Sequence, residues 1–143
     1  MKNILLDTNV VSELMRPQPD QAVMNWFSRQ SGMVFHVSAI TIAEILLGIA
    51  LLPSGKRRDG LASAAEAMFS EDFSGRCLAF DNACARYFAA IVSGRRRAGV
   101  QMTTEDAQIA AVALSQGCAL ATRTTRDFLH IEGLELLNPW IAK

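Results

Sequence analysis

Charge is scarce in this 143-residue chain and neither sign prevails: 14 Lys and Arg face 14 Asp and Glu, and charged residues make up 20% of the sequence. No overall positive field is available, so any contact with nucleic acid has to come from a local basic patch. Cysteine is limited to Cys77, Cys84 and Cys118. Their odd number and lack of CxxC spacing argue against a disulfide framework or a zinc site, and for buried free thiols in a reducing compartment. The two histidines, His36 and His130, stand alone in or near strand-like segments and read as structural or surface residues. No apolar run reaches the roughly 18 residues of a membrane span. Met1–Lys2–Asn3 leads straight into Ile4–Leu5–Leu6–Asp7 without a cleavage site, so no signal peptide is expected either. A cytoplasmic protein is the expectation. A P-loop, GxGxxG, GxSxG and HExxH are all missing, which removes support from nucleotide-driven, dinucleotide-binding, serine-hydrolase and zincin chemistry.

Half of the residues are hydrophobic, enough for one core spanning residues 1–143 without metal or disulfide staples. Short apolar runs alternate with helical patterns. Asn3–Leu6 suits a strand buried on both faces, followed by a helix that Thr8 can cap and that Pro17 and Pro19 end. Asp20 starts a second helix, with Ala22, Val23, Trp26 and Phe27 on one face. Met33–Val37 is the next strand, and Thr41–Leu52 a strongly apolar helix. Lys56 to about Phe73 reads as helix and Arg76–Phe80 as a third buried strand. Asp81 caps a helix toward Arg97, with Gly94 as a weak point inside it. Thr103 or Thr104 caps an alanine-rich helix extending to Gln116, which Gly117 stops. Cys118–Thr122, a short helical turn over Thr125–Leu129 and a last strand over Leu134–Leu137 complete the chain. Strands separated by helices predict a single α/β domain with a mostly parallel central sheet and helices on both faces.

Three acids stand out against this apolar background. Asp7 directly follows the first strand, and in open parallel sheets ligands bind outside the carboxyl ends of the strands; a turn or cap aspartate is the plainer alternative. Glu44 lies within Thr41–Ile42–Ala43–Glu44–Ile45–Leu46–Leu47–Gly48, on a solvated stripe or aimed into a polar pocket. Asp106 occupies the first turn of its helix, where an acid complements the helix dipole, yet it sits nearer the apolar side than Glu105. Together they suggest carboxylates from three distant segments at one end of a sheet. Clustered carboxylates repel, and a divalent cation removes the penalty; hard oxygen ligands favour Mg²⁺ or Mn²⁺. Such an ion activates water and stabilises the leaving oxygen in phosphodiester cleavage without any histidine.

Basic residues form three groups: Lys56–Arg57–Arg58, Arg95–Arg96–Arg97, and Arg123 with Arg126. The first two read as solvated helix ends. Arg123 and Arg126 follow the fourth strand, which puts them at the same sheet edge as Asp7, where a phosphate backbone would need cations.

At these residues the sequence resembles the PIN-domain ribonucleases, specifically VapC-type toxins of bacterial toxin–antitoxin pairs. The resemblance spans essentially the whole chain. It is carried by Leu6–Asp7–Thr8–Asn9–Val10–Val11–Ser12–Glu13–Leu14, by Ser38–Ala39–Ile40–Thr41–Ile42–Ala43–Glu44, by Asp106–Ala107–Gln108–Ile109–Ala110–Ala111–Val112–Ala113, and by Ala121–Thr122–Arg123–Thr124–Thr125–Arg126–Asp127–Phe128. Leu136–Leu137–Asn138–Pro139–Trp140 closes it. The resemblance implies a metal-dependent endoribonuclease acting on RNA, homodimerisation, and a cognate VapB-like DNA-binding antitoxin that occludes the active site in a higher assembly. Asp7, Glu44 and Asp106 fall on the family's acidic core positions, as catalytic and metal-binding residues. Thr8, Asn9, Thr122, Arg123, Thr124 and Arg126 fall where substrate or water is oriented. Many relatives carry Asn or Asp where this chain has Thr124. Asp127, the one nearby acid, reads as the far end of a capping box, Thr124–Thr125–Arg126–Asp127, with a metal role as its alternative. Two other readings remain: a PIN-like module with little or no catalysis, acting with an antitoxin as a DNA-bound repressor, and an HAD-like phosphoryl-transfer enzyme. The latter wants a second Asp two residues after the first, where this chain has Asn9.

Overall fold

The computed structural model describes residues 2–141. Its strands are β1 (Lys2–Leu6), β2 (Met33–Ser38), β3 (Cys77–Leu78), β4 (Ala119–Ala121) and β5 (Leu136–Leu137). They form one sheet in the order β3-β2-β1-β4-β5, and every pairing is parallel. β1 is central, and its pleat sends successive side chains to opposite faces. Ile4 and Leu6 enter one core and Leu5 the other, all three fully buried. A strand with two buried faces needs no polar alternation, which is why its sequence is one unbroken apolar run.

Helices α1 (Thr8–Leu14), α2 (Gln21–Ser28), α3 (Ala39–Ala50) and α4 (Lys56–Ala67) supply the first core with Val10, Val11, Trp26, Ile45 and Ile49. Helices α5 (Asn82–Arg97) and α6 (Thr104–Ser115) supply the second with Cys84, Ile91, Ile109 and Val112, joined by Leu120 and Phe128. Five consecutive residues of α6, Ile109 to Ala113, are buried, and three of the five are alanine.

Helix starts follow the capping chemistry. Asp20, Asp81 and Thr103 each accept a hydrogen bond from a backbone amide of the helix they open, satisfying donors that otherwise lack a partner. Two starts differ from expectation. Asp7, not Thr8, caps α1. Ser38 caps α3 by accepting the Thr41 amide at 3.1 Å, so α3 begins two residues before Thr41.

Several other elements are corrected. Lys56–Phe73 is not one α-helix, because it closes in a π-helical turn over Met68–Asp72. The third strand is a two-residue edge strand rather than a buried one, since β3 pairs only with β2. α5 runs unbroken through Gly94. Lys56, Arg57 and Arg58 open α4 behind Gly55, which offers no side-chain cap. They oppose the helix dipole there, whereas Arg95–Arg97 complement it at the end of α5. Cys84 and Cys118 are buried free thiols, but Cys77 is exposed on the edge strand. His36 is half-buried against Asn3 at 3.0 Å, and His130 is an exposed turn residue with φ 64°, in keeping with structural and surface roles.

One buried charge escaped the sequence. Glu13, 6% exposed, accepts the Asp20 amide at 2.8 Å and the Arg16 guanidinium at 3.1 and 3.2 Å. It ties the proline-containing turn back onto the end of α1.

Candidate active site

In this sheet the chain runs outward from β1 through β2 to β3, then restarts on the other side with β4 and β5. The strand order reverses between β1 and β4, and the crevice beyond their carboxyl ends is where such sheets bind ligands. Asp7 and Thr122 are the first residues past those two ends. The Asp7 amide continues the ladder by donating to the Ala121 carbonyl at 2.9 Å. Its carboxylate is then held on both oxygens, Oδ1 by the Thr8 amide at 2.8 Å and Oδ2 by the Thr122 hydroxyl at 2.7 Å. Only 4% of Asp7 is exposed.

Glu44 comes in from α3, half-buried, and its Oε1 accepts the Thr8 hydroxyl at 2.6 Å. The residue thus leaves the solvated stripe and turns toward the end of β1. Asp106 comes in from the first turn of α6, also half-buried, with its backbone amide bonded to Thr103 Oγ1 at 3.1 Å. Asp127 stands exposed on a 3₁₀ turn, Thr125–Phe128, after β4. Burial pushes the Asp106 carboxyl up to about 6, helped first by the charge of Asp7 and then by Asp127 and Glu44, and opposed by the Thr103 hydroxyl. Burial likewise raises Asp7 above the ordinary carboxylate range; Glu44 and Asp127 add to this, while the bonds from Thr122 and Thr8 oppose it. Four acids from four segments therefore share one electrostatic neighbourhood. Among the described residues none of them enters a salt bridge, and no three His, Cys, Asp or Glu side chains close into a ready-made cation cage. The carboxylates raise one another's pKa, as like charges sharing a site do. Carboxylate and hydroxyl oxygens with no thiolate or imidazole among them are the donor set that suits Mg²⁺ or Mn²⁺.

The expected orienting residues divide into two groups. Thr8, Asn9, Thr122 and Thr124 are joined to the acids. Asn9 Nδ2 donates to Thr122 Oγ1 at 3.4 Å and its Oδ1 accepts the Arg123 amide at 3.3 Å, while the Thr124 amide reaches Thr122 Oγ1 at 3.1 Å. The arginine side chains stay outside this net. Arg123 lies over the Trp140 ring, 5.1 Å from its centroid, and Arg126 is exposed.

The capping box is not formed. Thr124 makes no side-chain cap bond and has ψ 55°, far from the extended backbone of an N-cap. Its amide, which Asp127 was expected to hold, belongs to Thr122. Asp127 is therefore left as a fourth acid in the field of Asp7 and Asp106.

Two features went unread in the sequence. Thr41, fully buried, lies 3.0 Å from the Thr8 hydroxyl; the only signal was its place three residues before Glu44, on the same helix face. A groove of about 560 Å³ also opens beside Glu44 and Thr8, walled by Met15, Ile45, Ile49 and Leu61. Leu47 and Leu51 of α3 are 59% and 76% exposed.

Comparison with known proteins bears on the family and the fold. The family model for the PIN domain matches residues 4–134. VapC ribonuclease Y4jK of Sinorhizobium fredii is 39% identical over 137 residues, covering 96% of this chain and 97% of its own length. Toxin FitB of Neisseria gonorrhoeae is likewise 39% identical over 137 residues, with 96% and 98% covered. The crystal structure of FitAcB from Neisseria gonorrhoeae superposes with a TM-score of 0.86 at 38% identity, over 97% of this chain and 99% of that one.

Proposed function

The chain belongs to the PIN-domain family, and on that premise we propose that it is a Mg²⁺- or Mn²⁺-dependent endoribonuclease, the toxin of a toxin–antitoxin pair. One observation carries the reading: Asp7, Glu44 and Asp106, with Asp127 nearby, share the switch point of the sheet without a basic partner, and burial together with the charges of Asp7, Asp127 and Glu44 raises Asp106 to about 6. A site that stores repulsion in this way is built to take up a cation.

Asp7, Glu44 and Asp106 would hold the ion, and Asp127 would add charge at the rim. Bound there, Mg²⁺ or Mn²⁺ supplies charge neutralisation, activation of a water and stabilisation of the leaving oxygen in phosphodiester hydrolysis. Thr8 and Thr122 fix the rotamers of Glu44 and Asp7 through neutral hydroxyl donors, which orient a carboxylate without cancelling its charge. Asn9 and Thr124 lock Thr122 in turn. Arg126 and the outer face of Arg123 meet the phosphate backbone at the rim. RNA is the substrate by analogy with the VapC ribonuclease relative.

The partner reading rests on the toxin–antitoxin relatives, and the groove offers it a place. A cognate antitoxin segment lying along the Met15–Ile45–Ile49 wall reaches Glu44 at one end and blocks the acids. The toxin acts in the cytoplasm as a homodimer that assembles further with a DNA-binding antitoxin. Among the described residues no helix is long and apolar enough to cross a membrane. A purely DNA-repressing module would have no use for the mutually strained acids.

The test is incubation of the purified chain with total and structured RNA, in chelator and with Mg²⁺ or Mn²⁺. Cleavage restricted to the metal-containing samples, and lost in Asp7→Asn, is expected. Cleavage that persists equally in chelator, or in Asp7→Asn, would refute a carboxylate–metal nuclease.

A further inference from the structure

Glu44 and Asp7 each stand at the end of a chain of hydroxyls. Thr8 Oγ1 lies 2.6 Å from Glu44 Oε1 and 3.0 Å from Thr41 Oγ1. A hydroxyl has one proton. Carboxylate oxygens only accept, so the Thr8 proton is committed to Glu44, and the Thr8–Thr41 bond has to be donated by Thr41. Behind Thr41, Ser38 Oγ lies 3.5 Å from Thr41 Oγ1 and accepts the Thr41 amide at 3.1 Å. Its proton is therefore free to point at Thr41. The direction is Ser38 to Thr41 to Thr8 to Glu44, every donor aimed at the acid. Ser38 and Thr41 are fully buried, so water does not compete for these positions.

The second chain has the same polarity. Thr122 gives its proton to Asp7 Oδ2 at 2.7 Å, so the 3.2 Å contact between Thr124 and Thr122 is donated by Thr124. Hydroxyl chains of one direction polarise each link and strengthen the last one.

We propose that Thr41 is a positioning residue for the cation site. By donating to Thr8 it denies that hydroxyl any other orientation, and so holds Glu44 in the rotamer that presents its remaining oxygen. The inference rests on the reading of Asp7, Glu44 and Asp106 as cation ligands. The geometry explains why Thr41 has to be a hydroxyl residue on a helix whose only other polar side chain is Glu44. A Val of the same shape fills the space but leaves Thr8 free to turn.

Thr41→Val and Thr41→Ser in the full-length chain separate the hydroxyl from the volume. Mn²⁺ affinity is read from the electron paramagnetic resonance signal of the free ion, with circular dichroism as the check on folding. Thr41→Val is expected to bind Mn²⁺ about 10- to 100-fold more weakly than wild type, and Thr41→Ser within about threefold of it. Wild-type affinity in Thr41→Val, or equal weakening in both variants, overturns the proposal. Asp106→Asn is titrated alongside. If Asp106→Asn loses Mn²⁺ binding while Thr41→Val keeps it, Thr41 alone is misassigned. If the wild type binds no Mn²⁺, the cation-site reading falls and the proposal with it. Should Thr41→Val fail to fold, wild-type NMR decides. A slowly exchanging Thr41 hydroxyl proton with a nuclear Overhauser contact to Thr8 is expected, and a freely exchanging one refutes the relay.

Discussion

Replacing Asp106 by Asn should stabilise the protein at neutral pH in the absence of metal. The carboxyl titrates near 6 in the folded chain against an ordinary value of 3.8. Because the folded value is raised, the folded state binds its proton more tightly than the unfolded one. Stability is then full below about pH 3.8 and falls as pH rises toward 6, where the loss levels off. The gap is worth about 3 kcal/mol at about 1.36 kcal/mol per pH unit. Asp106 is only half-buried, and solvent screening brings the figure down to about 1–1.5 kcal/mol. Asn keeps the shape and removes the charge. Urea unfolding followed by tryptophan fluorescence, at fixed protein concentration in chelator, should show Asp106→Asn ahead of wild type by that amount at pH 8. The lead should vanish near pH 4. For a chain of this length the shift in Tm is about 3–5 °C. Adding Mg²⁺ at a hundredfold excess over Kd should then raise wild type by about 2.7 kcal/mol and leave the variant where it was. A variant less stable than wild type at pH 8, or one with an undiminished Mg²⁺ response, would refute the argument that the site stores carboxylate repulsion for a cation to relieve.

Since no capping box exists, Asp127→Ala should cost less than about 0.5 kcal/mol in urea unfolding; a loss above about 1 kcal/mol would mean that the turn depends on this carboxylate after all. Glu13→Ala strips the Asp20 amide and Arg16 of their buried acceptor and should cost about 1–3 kcal/mol in thermal melts, with a neutral result showing that the turn is held by other contacts. Leu5→Ala opens a cavity where β1 meets the second core and should cost about 2–5 kcal/mol; a change under about 1 kcal/mol would indicate that the core collapses around the gap. Arg123→Gln combined with Arg126→Gln should reduce the slope of log K against log salt for single-stranded RNA by about 1.4, and an unaltered slope would take both arginines off the phosphate path.

The acids were legible because each breaks an apolar pattern. Asp7 ends the run Asn3–Leu6, Glu44 interrupts α3, and Asp106 sits one turn before the buried face of α6. Their convergence was legible only as a consequence of the α/β order. What the sequence withheld is long-range. The Thr122–Asp7 bond requires β4 to lie beside β1, and strand order leaves no local mark. Thr41 and Ser38 look like ordinary members of an apolar helix and its start until Thr8 is folded against them. Glu13 carries no local mark of burial, because its acceptor role depends on the turn at Asp20. The error at Asp127 has the same origin. The pattern Thr-x-x-Asp is local, but the Thr124 amide had already been claimed by Thr122 across the site.

The separation between Asp7 and Thr122, 115 positions, also bears on how the protein is made. Translation delivers Asp7 among the first residues and Glu44 soon after, but Asp106 and Thr122 arrive only when most of the chain has been synthesised. Until β4 slides in beside β1, Asp7 lacks the Ala121 carbonyl for its amide and the Thr122 hydroxyl for its carboxylate. A contact of such sequence separation pays its loop-closure entropy last. An unfinished chain therefore carries Asp7 without two of its partners, and prematurely terminated products ending before α6 also lack Asp106. The acid cluster is complete, and tied in place, only once the closing segment has been synthesised.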